Sequence, residues 1–157
     1  MTSHGRPDPM PARMGWITSV DAESGAGFTL DDGTVCRLDR TSAWFDFWTR
    51  LVAKSQEYGW PVYVLSDAEG AVALLLHASV HTVEGIQPDP DDTSRVRVRL
   101  AGTDAIHFLK IDEPGGDALA LRLHEAAESG RPVVVAQDAL ASEIVDVRFA
   151  PAVPPSA

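Results

Sequence analysis

Cysteine is almost absent from this chain: Cys36 stands alone among 157 residues. It cannot form an internal disulfide, which predicts a reducing, cytoplasmic setting. Basic residues are also scarce, with 13 Lys and Arg against 23 Asp and Glu, for a formal net charge of −10. Divided after Ile86, the chain carries −5 on each side, so the excess belongs to the whole surface and not to a tail. Such a surface repels phosphate backbones, which argues against a nucleic-acid partner. Long hydrophobic runs are missing too. Stretches such as Ala71 to Leu76 fall far short of the roughly 20 apolar residues a membrane helix needs. The opening residues hold no apolar h-region, so no secretory leader is expected.

Catalytic signatures are equally thin. There is no Gly-x-Ser-x-Gly elbow, and Ser24 in Glu-Ser-Gly-Ala-Gly is flanked differently. A phosphate loop and a dinucleotide glycine fingerprint are both lacking. His77 and His81 stand four apart, but the surrounding Leu74 to Val83 reads as a strand, in which four residues span roughly 13 Å. With no Glu after His77 and no cysteine pair, a metal site lacks ligands. The expectation is therefore a protein without recognisable catalytic machinery, metal or cofactor.

What is present is an internal repeat. Gly59-Trp-Pro-Val-Tyr-Val-Leu-Ser-Asp-Ala68 matches Gly130-Arg-Pro-Val-Val-Val-Ala-Gln-Asp-Ala139 at six of ten positions, offset by 71. The same offset carries Val35, Leu38, Trp48 and Val52 onto Ile106, Leu109, Leu119 and Leu123, with apolar character kept at each. Two copies are too few for a solenoid and predict one pseudo-two-fold domain. Each copy reads as ββαββ. In the first, strands at 27–30 and 34–38 flank the turn Asp31-Asp32-Gly33. A helix follows over 42–58, with capping groups offered by Asp39 to Ser42, and Gly59 ends it before Pro61. Strands follow at 62–65 and 72–83. The second copy has strands at 95–100, 105–111, 132–136 and 143–149 and a helix over 117–129 capped by Asp117. A further strand is expected at Trp16 to Val20.

The predicted architecture is α+β: duplicated ββαββ units forming a mainly antiparallel sheet or a small barrel, with two helices. Residues 1–13 and 151–157, rich in proline, are expected to lie outside the fold. Between them, 14–150 form a single domain, with repeat one over about 15–86, a linker at 87–94 and repeat two over 95–150.

Residues 15–33, Gly-Trp-Ile-Thr-Ser-Val-Asp-Ala-Glu-Ser-Gly-Ala-Gly-Phe-Thr-Leu-Asp-Asp-Gly, resemble the first hairpin of cold-shock domains. A stacking platform for bases needs aromatics and cations, however, and Ala26 and Cys36 stand where aromatics would be wanted. Arg95, Arg97 and Arg99 alternate with Val96, Val98 and Leu100, which lines one strand face with guanidiniums. That pattern suits an anion grip or a protected, solvated edge.

Two candidate sites remain. Asp67 and Asp138 are repeat equivalents, so the pseudo-two-fold axis could bring their carboxylates together in a pocket, with His77 nearby, as in a small-molecule-binding protein or an enzyme; each also suits the first position of a turn. The other candidate is aromatic. Trp44-Phe45-Asp46-Phe47-Trp48 opens the first helix, whereas the equivalents of Trp44 and Phe47 are Gly115 and Ala118. A duplicated core does not need those two rings. Trp44, Phe47 and Trp48 are accordingly the expected contact surface for a protein partner or for self-association as a homodimer.

Overall fold

The computed structural model describes residues 12–21, 26–138 and 142–151. Strands β1 (Ala12–Val20), β2 (Gly27–Leu30) and β3 (Val35–Arg37) precede helix α1 (Phe45–Tyr58), which is followed by β4 (Pro61–Ser66) and β5 (Val72–His81). Then come β6 (Val83–Pro88), β7 (Arg95–Leu100), β8 (Ile106–Lys110), helix α2 (Gly116–Ser129), β9 (Val133–Asp138) and β10 (Glu143–Phe149). The fold is α+β, with a mixed ten-stranded sheet ordered β3-β2-β1-β4-β5-β9-β10-β8-β7-β6. All pairings are antiparallel except that of β8 with β10, which meets through Phe108 and Glu143. Arg37 of β3 makes a second parallel bridge, to Ala71 just before β5.

Local chemistry sets these elements. Gly33 adopts a φ of 89°, which the β2–β3 turn requires and which L side chains resist. Asp32 Oδ1 accepts the Thr34 N–H at 2.8 Å in the same turn. On α1 the buried positions are Trp48, Val52 and Ser55, a helical stripe four and then three residues apart. Gly59, in the left-handed region, ends the helix and donates its N–H to Ser55 O. Helix α2 ends the same way at Gly130, 71 residues later, with Leu123 and Ala126 buried. No side chain caps α2: its N-cap is Gly115, and Asp117 lies in the first turn, where a carboxylate complements the helix dipole.

Three apolar clusters result. One packs under α1 and joins Ile17, Phe28, Leu30, Cys36, Trp48, Val52, Val62 and Val64. A second packs under α2 around Val98, Leu100, Leu109, Leu123, Val133 and Val135. The third lies on the opposite face of the central strands, with Trp16, Tyr63, Ala78, Val134 and Ala136. Strands β4 and β9 are thus covered on both faces, which explains why the repeated Pro-Val-x-Val segments are continuously apolar instead of alternating.

Several bounds differ from the sequence expectation. Strand β1 begins at Ala12, because Ala12 to Trp16 pair with β4 while Ile17 to Val20 pair with β2. The expected single strand 72–83 divides after His81, with Val83 opening β6, and β5 itself changes partner, pairing with β4 through Val72 to His77 and with β9 through Ala78 to His81. Gln87 and Pro88 belong to β6, which pairs with β7, so residues 89–94 are the loop of a hairpin and not an interdomain linker. Helix α2 is therefore preceded by three strands, β6 to β8, where the repeat pattern had suggested two; helix α1 follows the three expected before it, β1 to β3.

Candidate functional site

Helix α1 presents the clearest unburied aromatic surface. Ser42 Oγ accepts the Trp44 N–H at 3.1 Å, and the Trp48 N–H reaches Trp44 O, so Trp44 sits at the helix mouth. Trp44 is 61% exposed and Phe47 is 54% exposed. The two meet edge to face, with centroids 6.1 Å apart and planes at 84°, a favourable aromatic geometry. Phe45 is half-buried against the core, with the Arg40 guanidinium 5.9 Å above its ring. Trp48, by contrast, is only 6% exposed and belongs to the α1 core. Of the three expected contact residues, Trp44 and Phe47 face outward and Trp48 faces inward.

A second exposed aromatic group lies about three turns further along the helix. Tyr58 is eleven positions after Phe47, within about 20° of it around the helix axis, and is exposed. Its ring stacks on Trp60 at 5.0 Å, and Trp60 meets the His77 ring edge-on at 4.9 Å. Burial holds the His77 imidazole below its ordinary pKa of 6.5. Sequence reading attached Tyr58 to the helix and Trp60 to the repeat, and missed that the Gly59 stop folds one ring onto the other.

The paired-carboxylate arrangement is not brought together. Asp67 Oδ1 accepts the N–H groups of Glu69 and Ala71, both at 2.9 Å, and so closes the β4–β5 turn. Asp138 ends β9, opposite Glu143. Ser66 pairs with Val72 and Ala136 with Ala78, which sets the two carboxylates roughly 15 Å apart along β5. His77 points its ring at Trp60.

A cavity of about 290 Å³ lies elsewhere, on the outer side of β6 and β7. It is lined by Glu84, Ile86, Gln87, Arg97, Arg99 and Ile106, among others. Behind it, Asp89 has a fully buried side chain and holds Arg95 Nε at 2.5 Å and Arg97 Nε at 3.3 Å. The Asp91 N–H bond to Asp89 and then the two guanidiniums keep the Asp89 carboxyl below its usual range, against the cost of desolvation. Arg95 also covers the Phe108 ring at 3.9 Å. The Pro-Asp-Pro-Asp-Asp loop that had read as a linker is thus the clamp for two of the three alternating arginines.

Cys36 is fully buried, and desolvation pushes its thiol up to about 11. Among the described residues, no group of three or more His, Cys, Asp or Glu could hold a metal ion. No helix among them is long and apolar enough to cross a membrane. No protein-family model, curated protein or solved structure matches the chain.

Proposed function

We propose that this protein is an interaction module whose contact face is the exposed aromatic edge of α1, and that the face seats a second copy of the chain. The observation that carries this reading is the solvent exposure of Trp44 and Phe47 beside each other. Two large rings left in water gain most from burial at an interface centre. Charge supports a like-with-like contact. Within a chain of net charge −10, α1 carries Asp46, Arg50, Lys54 and Glu57, which balance. Two such helices meet without the repulsion that the rest of the acidic surface would bring.

The fold reading that accompanies this is a duplication. Helices of equal length end at equivalent glycines 71 apart, and each half has a parallel bridge from its third strand toward its last. On this reading β5 is shared: its second half and β6 replay β1, which likewise pairs first with one strand and then with another. Each half then has the connectivity of a five-stranded OB-type Greek-key barrel. Such barrels serve widely as binding platforms, while the acid excess and the Thr29, Val35 and Arg37 surface of β2 and β3 weigh against oligonucleotides. Only the first half carries the extra rings, which makes the duplication a scaffold and α1 its specialised face.

Light scattering on the wild type and on Trp44→Ala/Phe47→Ala tests the contact. The wild type should weigh as a dimer and the variant as a monomer with an unchanged circular-dichroism spectrum. Equal masses would refute it.

A further inference from the structure

The cavity on the outer side of β6 and β7 is independent of α1 and has a chemistry of its own. Its apolar side chain is Ile106, which shares a face with Arg99 and is 41% exposed despite being a large hydrophobe; Ile86 and Val98 pair on the opposite face, toward the α2 core, and contribute only their backbone here. The polar side is Glu84, Gln87, Arg97 and Arg99. Arg97 is already engaged, with its Nε on Asp89 and its Nη2 3.3 Å from Asp91 Oδ2. Arg99 and Glu84 are different: both are exposed, both line the cavity, and neither makes an ion pair among the described residues. The register between β6 and β7 shifts between Val83 and Gly85, so Glu84 falls at the irregularity and faces the cavity out of step with the ladder. A Cβ added at Gly85 would meet nothing, so the floor is open.

We propose that this cavity binds a small aliphatic α-amino acid or a close zwitterionic analogue. The guanidinium of Arg99 takes the carboxylate, the Glu84 carboxylate takes the ammonium group, and Ile106 covers the aliphatic side chain. Charge excludes the neighbouring classes. A phosphate-bearing ligand would meet Glu84 as well as the arginines, and a simple amine would meet Arg97 and Arg99. A zwitterion satisfies both signs at once. The volume, at the small end of ligand pockets, excludes anything as large as a nucleotide.

Isothermal titration calorimetry of the full chain with L-leucine, N-acetyl-leucine, leucinamide and inorganic phosphate tests this. Leucine should bind saturably, with the acetylated and amidated forms about ten-fold weaker or worse, since each loses one charge-assisted contact. Arg99→Ala should abolish the preference for a free carboxylate. Glu84→Gln should make leucine and N-acetyl-leucine equivalent, with the fold of each variant checked by circular dichroism. The proposal is overturned if leucine shows no saturable binding, if phosphate displaces it, or if Arg99→Ala binds it as the wild type does. None of these outcomes bears on self-association through α1.

Discussion

Asp89, with no part of its side chain exposed, lies 2.5 Å from Arg95 Nε and pins two β7 arginines from the loop behind them. A buried carboxylate survives only where hydrogen bonds and cations replace its water, and here both do. Asp89→Ala strands two guanidiniums against a half-buried surface and frees the 89–94 loop. Thermal unfolding should show a drop of several degrees, whereas Asp91→Ala, whose carboxylate is exposed, should barely move the midpoint.

The two tryptophans of α1 should part company on substitution. Trp48→Ala opens a cavity among Val52, Phe28 and Leu30 and should cost about 3–5 kcal/mol in denaturant unfolding. Trp44→Ala removes a mostly solvated ring and should cost less than about 1 kcal/mol in the monomer. Comparable losses would contradict the division between an inward and an outward ring.

Much of this was legible in the sequence. The Asp31-Asp32-Gly33 turn, the Gly59 and Gly130 stops and the stripe Trp48, Val52, Ser55 all follow from local chemistry, and local chemistry is what a sequence carries. Strand partnership was not legible. Nothing in Leu74 to Val83 reveals that the strand changes partner at Ala78, because no glycine or proline marks that point. The 87–94 segment read as a linker for its prolines and aspartates. Its role as a clamp depends on Asp89 being folded beneath arginines six and eight residues onward. The outward rings Trp44 and Phe47 were visible through the asymmetry of the repeat. Asp67 and Asp138 misled because equivalence in sequence does not place two residues on the same side of a shared strand.

Gly70 should resist substitution. It lies in the β4–β5 turn with a φ of 87°, and a Cβ there would come within 2.8 Å of Val35 O on β3. Gly70→Ala should destabilise by more than about 1 kcal/mol, while Gly85→Ala, in open space with ordinary backbone, should be close to neutral. Chemical denaturation of the two variants side by side checks this.

Stability should fall in two stages on acidification. Burial lowers the pKa of His77 and of His81, the latter despite an opposing hydrogen bond with the Ala101 backbone. The unfolded chain then binds protons more readily than the folded one below 6.5, so unfolding takes up protons there. The stabilisation is complete above 6.5 and is lost as the pH falls through that value toward the lowered folded values. Asp32, Asp39, Asp89 and Asp92 are lowered as well, chiefly by hydrogen bonds, and their contribution is lost only as the pH drops below 3.8 toward their folded values. Melting temperature should therefore decline between about pH 7 and 5.5, and His77→Gln with His81→Gln should flatten that slope.

Cys36 should be silent in the folded protein. Buried and with its thiol pushed up to about 11, it should not react with a disulfide reagent at pH 8 until denaturant is added. Rapid labelling of the native chain would contradict its place in the α1 core.

The claim on which the functional account depends is that α1 seats a second copy through Trp44 and Phe47. Sedimentation velocity across a concentration series measures it directly. A chain of 16.9 kDa should shift reversibly toward twice that mass as concentration rises, and Trp44→Ala/Phe47→Ala should hold it at one mass throughout. A wild type that stays monomeric at every concentration, or a double variant that dimerises as readily, would contradict the account.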